Sequence, residues 1–327
     1  MARAREISEF AAISRLEALF RSRGPFVSVG IGDDAAVLEP AGRLVWTVDT
    51  AVEHVHFERA WLTLPELGWR SFQAAASDVS AMAAAPLAAL SSIIFPARFG
   101  TAELAQVALG QRAAARALGC QIVGGNLSRG SELSITTTLV GRSARPVLRS
   151  GAKLGDELWL CGELGLAAAG LRLLQSGKKR GKGSAERRAL LAFRRPRALL
   201  EAGLGLQRRA HAAIDISDGL AGDAAHLARA SSARLVIDVA LLEAALSSAL
   251  LKLAEPLGVS ALELALYGGE DYALLAAGPR RARPPEARVI GRVSEGAGVW
   301  LEQAGRLRRA KGGFEHSGGR KPRSVGR

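Results

Sequence analysis

The sequence predicts an α/β (α+β) fold built from two domains. Apolar residues alternate along the chain between helical spacing and short strand-like runs, so helices and strands follow one another. A chain of 327 residues is long enough for two domains, each with its own core. Apolar residues form 48% of the chain and charged residues 23%, which is typical of a globular protein.

The first domain is predicted to span residues 1–148. Its helix over about 65–84 is built largely from Ala, Ser and Gly, which predicts very close packing against a sheet. Shorter elements surround that helix in the sequence. In chain order they are a helix at roughly 7–21, strands near 26–30 and 43–48, then a strand near 88–95, a helix at about 101–117, and strands near 120–124 and 132–140.

The second domain is predicted to span residues 149–316, and a basic, disordered tail to follow over 317–327. The boundary lies just before "RSGAKLGDELWL", because this stretch combines turn residues with a strand-like run. The elements expected after it are a helix near 166–175, a basic linker, a helix-rich stretch to about 211, a strand–helix–strand unit in 212–238, and short strands in 271–303.

The net charge of +13 is concentrated in two segments. Residues 172–197 hold ten Lys or Arg and one Glu, and residues 305–327 hold eight and one, which leaves −3 for the rest of the chain. A nucleic-acid-binding domain carries its charge on its framework and has a recognisable reading element. Solvated surface loops therefore explain the basic excess better, and nucleic acid is not expected as a partner.

No apolar run approaches the roughly 18 residues needed to span a bilayer. The N-terminal residues mix charges with apolar side chains and lack the apolar core of a signal peptide. Cys120 and Cys161 lie in apolar strand-like segments, where a small buried side chain is the favoured role and a metal ligand or nucleophile the alternative. We therefore expect a cytoplasmic protein that does not bind membranes.

Seven acidic residues share one setting, beside Gly, Ser or Thr at the edge of an apolar segment. They are Asp33, Asp34, Asp49, Asp78, Asp215, Asp218 and Glu270. Singly, each is explained as a helix cap or a turn residue. Together they indicate a metal site, because adjacent carboxylates repel one another and Mg²⁺ prefers carboxylate oxygens and is commonly shared with substrate phosphates.

Two glycine pairs, in "VGGN" (123–126) and "YGGED" (267–271), follow apolar segments. Paired glycines let a backbone approach a phosphate closely, although such a pair is more often a simple turn. The chain has no Walker loop and no cluster of Cys or His. Acids combined with glycine turns indicate Mg²⁺-assisted phosphoryl transfer, for which no protein nucleophile is expected.

His54 and His56 stand two apart in "VEHVHF", which in a strand places both on one face. Ordinary strand polarity and contact with a ligand explain this pair equally well.

Seven motifs stand in the order found in one known family. They are "GIGDDAAVL", "VDTAVEHVHF", "SDVSAMAAAP", "GGNLSRG", "RSGAKLGD", "AIDISDGL" and "GGEDYAL". In these motifs, and in the closing "GGFEH", the chain resembles the thiamine-monophosphate kinases over about residues 6–316. That family belongs to the aminoimidazole ribonucleotide synthetase-like superfamily, and the forms of "VEHVHF" and "GGEDYAL" select the thiamine-phosphate branch.

The resemblance implies the two-domain aminoimidazole ribonucleotide synthetase-like fold and ATP-dependent phosphorylation of thiamine monophosphate to thiamine diphosphate. It implies several Mg²⁺ ions as cofactors. It also implies a homodimer, in which the N-terminal sheets pair into a shared barrel and each is followed by an α/β C-terminal domain. The N-terminal domain would bind ATP and Mg²⁺ and form the dimer contact.

The resemblance also implies roles for individual residues at matching positions. The metal-binding positions are Asp34, Thr47, Val48, Asp49, Asp78, Asn126, Asp215 and Asp218. The positions that would contact ATP are Gly125, Asn126, Arg149 and Ser217. Those that would contact the thiamine phosphate are His56, Glu270 and Phe314. An aromatic ring such as that of Phe314 stacks favourably on a cationic heterocycle.

The chain departs from the family pattern at several positions. Asn126 stands where the family usually has Asp, which predicts weaker binding of one Mg²⁺ because an amide oxygen carries no charge. Val48 replaces a usual Thr, His54 replaces a usual Gly, and Leu166 and Ala167 replace a usual Asp-Ser pair. The alternatives are a nucleotide-binding paralogue with weak or no kinase activity, and another ATP-using synthetase of the superfamily.

Overall fold

A four-stranded sheet covered on one face by helices forms the first half of the fold. The computed structural model describes Arg15 and residues 18–20, 27–29, 37–38 and 42–310. The elements of this half are β1 (Val27–Val29), β2 (Val37–Leu38), β3 (Arg43–Val52), α1 (Leu64–Ala81), β4 (Ala85–Pro96), α2 (Thr101–Ala117), β5 (Gln121–Gly130) and β6 (Ser134–Ser143). The sheet has the order β3-β6-β4-β5, in which only the β4–β5 pair is parallel, and β1 pairs with β2.

A seven-stranded sheet forms the second half. Its elements are β7 (Glu157–Cys161), α3 (Leu166–Gln175), α4 (Ser184–Arg194), α5 (Leu200–Gly205), β8 (Ala212–Ile216), α6 (Leu220–Ala230), β9 (Arg234–Asp238), α7 (Val239–Ala244), α8 (Ser248–Ala254), α9 (Ala261–Tyr267), β10 (Ala273–Gly278), β11 (Arg288–Ser294), β12 (Gly298–Gln303) and β13 (Arg306–Arg309). The strand order is β13-β12-β9-β11-β7-β10-β8, with β12 and β9 parallel and the other pairs antiparallel.

Helix α1 is buried on nearly every side. Thr63 begins it with a capping box that includes Glu66, and residues 67–77 are buried without a break. Small residues allow this burial. A Cβ added to Gly68 would lie 2.0 Å from the carbonyl oxygen of Val107 in α2, so the two helices cross in backbone contact. The predicted close packing is confirmed, and it extends beyond the sheet to α2 and to the second half of the chain.

The main hydrophobic core is continuous through both halves. It joins Leu67 and Ile135 of the first half to Leu158 and Ile214 of the second. The two sheets therefore share one core region, and the predicted division at residue 148 stays a prediction.

The face of the four-stranded sheet away from α1 carries exposed apolar side chains. The period of two along β3 places Val45 toward the helix and Trp46 and Val48 on the outer face, where they are 63% and 62% exposed. Leu44, Leu90 and Ile94 are also exposed. This group of five is called the outer apolar face below.

The basic segment 172–197 is not a loop linker, so that prediction is wrong. Helix α3 continues to Gln175 and α4 covers Ser184–Arg194, which leaves only residues 176–183 without a regular element. In α4 the side chains of Leu190 and Phe193 are buried. The high charge of the segment concealed this amphipathic pattern, in which Arg187 and Arg188 lie on the solvent side of a packed helix.

The other predicted helices and strands are confirmed where the structure describes them, with shifts of a few residues at their ends. The short helices α7, α8 and α9 were not predicted, and they begin at the capping side chains of Asp238, Ser247 and Ser260. The tail 317–327 lies outside the described residues, as does most of the helix predicted at 7–21. No helix in the described part of the chain is apolar over enough length to cross a bilayer.

Candidate functional site

Three of the predicted acids meet where α1 lies between the two sheets. Asp49 lies on the face of β3 that α1 covers, Asp78 near the end of α1, and Asp215 on β8. The hydroxyl of Thr47 donates a hydrogen bond of 2.5 Å to Oδ2 of Asp78. The hydroxyl of Ser77 donates one of 2.8 Å to Oδ2 of Asp215. Three elements that are distant in sequence thus bring their oxygen atoms together.

Burial raises the pKa of all three carboxyls. For Asp215 burial, followed by the charge of Asp78, raises the pKa to about 7, against the opposing effects of Ser77 and Arg149. Burial also raises the pKa of Asp78 and, with the charge of Asp78, that of Asp49. A buried cluster of mutually repelling carboxyls favours a bound cation, because the cation offsets both burial and repulsion.

The donor set fits a hard divalent cation such as Mg²⁺, which takes oxygen ligands. Within the described residues, no group of three or more His, Cys, Asp or Glu side chains has the spacing of a complete metal site. Mg²⁺ is usually held by one or two carboxylates and retains waters or phosphate oxygens, so a partial protein ligand set suits it. Asp33 and Asp34 lie outside the described residues.

A second group surrounds the end of β8. Ser217 and Asp218 follow the strand directly, and both of their backbone N–H groups donate to Oδ2 of Asp223 over 3.0 Å. Burial, followed by the charge of Asp215, raises the pKa of Asp223 to about 7. Asp223 was not predicted from the sequence, although an acid in the first turn of a helix is a recognisable signal.

Arg149 is brought to the acid cluster, since its charge opposes the rise that burial causes in the pKa of both Asp78 and Asp215. Its side chain is exposed, and its carbonyl accepts a hydrogen bond from the Ser231 hydroxyl. An exposed guanidinium beside buried carboxyls is positioned to bind the phosphates of a ligand that also carries a cation.

Asn126 is not brought to the cluster. In the sheet register it shares a row with Ser92, Thr136 and Thr50, whereas Asp49 shares the opposite row with Thr137. Its side chain is exposed and donates to the Ser128 hydroxyl over 3.0 Å. Because strand side chains alternate, the amide lies on the side of the outer apolar face.

The side chain of Val48 lies on that outer side too. Only its backbone lies beside Asp49, so a metal contact of Val48 would use its carbonyl oxygen.

Close packing within the protein requires a glycine in each of the two glycine pairs. A Cβ on Gly125 would lie 1.9 Å from the carbonyl oxygen of Ser91 on the neighbouring strand. A Cβ on Gly269 would lie 2.3 Å from the carbonyl oxygen of Ser217. Close backbone packing therefore explains both positions, and the predicted contact with a phosphate stays a prediction.

His54 and His56 lie in a turn after β3, so the prediction that a strand places them on one face is wrong. His54 has φ 68° and is exposed, and its Nδ1 lies 3.0 Å from Oε2 of Glu58. Glycine adopts this backbone conformation without strain, which explains why the family usually has Gly here. His56 accepts a hydrogen bond from the Val52 N–H, and its charge acts on Asp49, so it faces the cluster.

Glu270 lies in the loop between α9 and β10, and its charge also acts on Asp49. It forms an ion pair with the buried Arg70 of α1 and accepts a hydrogen bond from the Tyr272 hydroxyl. Neither Arg70 nor Tyr272 was singled out from the sequence, since both contacts depend on the tertiary fold. Phe314, the third predicted substrate residue, lies outside the described residues.

Both cysteines are free and buried. Burial raises the pKa of the Cys120 thiol to about 12 and that of Cys161 to about 11. Because the thiolate is the reactive form, these values favour the predicted role as small buried side chains.

Comparison with known proteins shows which family this chain belongs to. Residues 32–143 match the model of the AIR synthase related protein N-terminal domain, and residues 153–302 match that of the C-terminal domain. The thiamine-monophosphate kinase of Aquifex aeolicus (strain VF5) is 35% identical over 304 residues, which cover 92% of this chain and 96% of that protein.

Two solved structures share the fold over nearly the whole chain. The thiamine-monophosphate kinase of Stenotrophomonas maltophilia K279a superposes with a TM-score of 0.80 at 32% identity and covers 90% of this chain and 97% of its own. AaThiL complexed with AMPPCP and TMP superposes with a TM-score of 0.77 at 35% identity, covering 94% and 96%. Both the predicted fold and the resemblance are confirmed: the chain belongs to the thiamine-monophosphate kinase family of the AIR synthase related proteins.

Proposed function

We propose that the protein transfers the terminal phosphoryl group of ATP to the phosphate of thiamine monophosphate, forming thiamine diphosphate and ADP. The observation that carries this proposal is the similarity to thiamine-monophosphate kinases over nearly the full length of both chains. A related structure holds AMPPCP and TMP together, so that protein accommodates both substrates. The clustered acids of this chain supply the chemistry that phosphoryl transfer needs.

The acid cluster would hold Mg²⁺. The residues that would bind it are Asp49, Asp78 and Asp215 with the Thr47 hydroxyl, and the ordered motifs add Asp34, Asp218, the Val48 backbone and Asn126. Bound there, the metal would neutralise phosphate oxygens and the charge that develops during transfer. The position of Asn126 on the far side of the sheet argues against a contact with the Asp49 cluster within one subunit.

The nucleotide would contact β5 and the segment that follows β8. We assign it the backbone of Gly125 and Asn126, the guanidinium of Arg149 and the Ser217 segment. Asp223 holds the backbone at Ser217 through a hydrogen bond to the Ser217 N–H. Arg149 would pair with phosphate oxygens while the acids bind the cation.

The organic substrate would contact His56, Glu270 and Phe314. The charges of His56 and Glu270, which lie in two different loops, both act on Asp49, and this supports a shared contact with the substrate. A phosphate oxygen of the substrate is itself the nucleophile in this reaction, so no covalent intermediate with the protein is required.

We further propose that the protein is a homodimer joined through the outer apolar face. Trp46 and Val48 are each more than half exposed, and Leu44, Leu90 and Ile94 extend the same surface across β3 and β4. Exposed apolar groups this large and close together are typical of protein interfaces. Pairing of two such sheets would bury them in a shared barrel.

A cytoplasmic location is the accompanying proposal. ATP is the donor, and the two cysteines are free thiols, as expected in a reducing compartment.

The test is to incubate the protein with ATP and thiamine monophosphate, with and without Mg²⁺, and to measure thiamine diphosphate by chromatography. Product that depends on Mg²⁺ supports the kinase. Retained ATP binding without product would favour the nucleotide-binding paralogue instead. ATP consumption that yields neither thiamine diphosphate nor a dependence on thiamine monophosphate would favour another synthetase of the superfamily.

A further inference from the structure

One buried guanidinium links three parts of the fold next to the proposed substrate site. Arg70 of α1 is 4% exposed, and its Nη1 donates to the carbonyl oxygen of Phe193 in α4. Its Cζ lies 4.2 Å from the centre of the Phe193 ring. Its Nη2 lies 2.5 Å from Oε2 of Glu270. Because the guanidinium is itself fixed by Phe193, it places a positive charge at a fixed position beside the carboxylate and neutralises it.

A second donor reaches the same carboxylate oxygen. The Tyr272 hydroxyl donates to Oε2 of Glu270 over 2.6 Å. Burial, followed by the charge of Glu270, raises the pKa of Tyr272 well above its usual value, so the hydroxyl stays protonated. In the described part of the chain, Oε1 of Glu270 accepts no hydrogen bond. An ion pair and a hydrogen bond hold one oxygen, and the other is left to a ligand.

The backbone beside this carboxylate is held just as firmly. Glu270 and Tyr272 have φ angles of 72° and 52°, a left-handed conformation that residues with side chains rarely adopt. Their N–H groups donate to the carbonyl oxygens of Ser217 and Ile216 over 2.7 and 2.9 Å. Asp271 between them accepts hydrogen bonds from two N–H groups at the start of α3. Strained backbone of this kind persists where its surroundings hold it and is frequent at ligand sites.

We propose that Arg70 and Tyr272 are positioning residues, which hold Oε2 of Glu270 so that Oε1 faces the cationic, amino-bearing part of the organic substrate. This inference rests on the proposed function above. The Glu270 side chain is 27% exposed and lies near enough to Asp49 for the two charges to interact. The free oxygen is therefore next to the acid cluster. The substrate that fits is a phosphate ester whose organic part carries a positive charge or an amino donor.

The contrasting explanation is that Arg70 only ties α1 to the second half of the chain. The neighbouring residue Trp69 also links α1 to the second half of the chain, because its Nε1 donates to the carbonyl oxygen of Pro196 over 2.6 Å. Trp69→Phe therefore removes one link of α1 without touching Glu270. Tyr267→Phe is the matched control for Tyr272→Phe, since it deletes the hydroxyl of the other tyrosine in the chain.

The experiment measures kcat and the KM of each substrate in these variants. We expect Tyr272→Phe to raise the KM for thiamine monophosphate about 5-fold to 10-fold and Arg70→Met to raise it further, as loss of a hydrogen bond to a charged group predicts. The KM for ATP should stay within about twofold, since the phosphate contacts are unchanged. Both control variants should keep both KM values. If Arg70→Met fails to fold, Tyr272→Phe still tests the positioning role, because it removes only a single oxygen atom.

A double-variant cycle separates positioning from general loosening of the site. Because Tyr272 is proposed to act through Glu270, adding Tyr272→Phe to Glu270→Gln should raise the KM for thiamine monophosphate no further. The inference would be overturned if the two substitutions raised the KM for thiamine monophosphate by factors that multiply in the double variant. An equal rise in the KM for ATP would overturn it too. If the wild-type protein is active and Tyr272→Phe has an unchanged KM for thiamine monophosphate, the positioning role is refuted but the proposed function is not. Wild-type protein without kinase activity would refute the proposed function and the inference with it.

Discussion

At the residue scale, this protein keeps several carboxyl groups in surroundings that disfavour their charge. Burial is the main cause that raises the pKa of Asp215, Asp223 and Asp271 to about 7 each. Two of them hold loops: Asp223 binds the N–H groups after β8, and Asp271 binds those at the start of α3. These buried acids lower the stability of the fold, but they hold the site in place. Such a trade-off between stability and function is expected at a functional site.

Asp271 should make folding less stable as the pH rises. Its pKa is about 7 in the folded protein and near 3.8 when unfolded, so the folded state holds the proton between these values. Stability is then highest below about pH 4 for this group and falls toward pH 7, on the order of a few kcal/mol. Asp271→Asn should remove that part of the slope, measured by urea unfolding at several pH values. An identical slope in the variant would show that Asp271 does not titrate in this range.

Asp215→Asn should separate stability from activity. The amide keeps an acceptor for the Ser77 hydroxyl and removes the repulsion from Asp78. We expect an unchanged or higher urea midpoint, and a loss of kinase activity of at least about 100-fold, because a proposed metal ligand loses its charge. Full activity in Asp215→Asn would contradict its role in the site.

The same residues show what could be predicted from the sequence. Asp49, Asp78 and Asp215 stand out because each interrupts an apolar segment beside small residues. Their partners do not stand out, because the contacts join distant positions. Ser77 and Asp215 are 138 positions apart. Arg70 is one polar residue in a helix of small ones until the fold brings Glu270 to it.

At the scale of elements, the crossing of α1 and α2 is the tightest helix contact near the site. Gly68 and Gly110 each approach the backbone of the opposite helix, and an added Cβ would lie 2.0 Å from a carbonyl oxygen in both cases. Since neither backbone can yield without moving the helix, α1 presents Asp78 at a fixed distance from β3.

Gly68→Ala should therefore lower the free energy of unfolding by at least about 2 kcal/mol, although Ala favours helices. Gly183→Ala is the control, because nothing lies within 4 Å of a Cβ added there, at the start of α4. That change should cost less than about 1 kcal/mol. Equal urea midpoints for the two variants would contradict backbone contact between α1 and α2.

Helix α4 shows why element prediction failed in one segment. Its three Arg residues dominate any average of charge, whereas its packing depends on Ala189, Leu190 and Phe193. The spacing of those three residues fits one helix face. Short helices such as α7–α9 are missed for another reason: six or seven residues hold too few apolar positions to establish a period.

At the scale of the whole molecule, the outer apolar face is the surface through which we propose that two chains pair. Trp46→Lys places a charge in the centre of that face, and Leu154→Lys places one at an equally exposed apolar residue elsewhere, 66% exposed against 63%. We expect the wild-type protein and Leu154→Lys to have the mass of a dimer by light scattering. Trp46→Lys should dissociate, since an aromatic residue at the centre of an interface commonly contributes 2 kcal/mol or more, or about 30-fold in affinity. A wild-type monomer would contradict the dimer.

The measurement that tests direct phosphoryl transfer most closely is to follow a radioactive label from the γ-phosphate of ATP. With thiamine monophosphate and Mg²⁺ present, the label should appear in the terminal phosphate of thiamine diphosphate, and none should stay on denatured protein. Asp78→Asn should abolish the transfer, whereas Leu154→Lys should leave it intact. Label that accumulates on the protein, or that appears only as free phosphate, would contradict direct transfer from ATP to thiamine monophosphate.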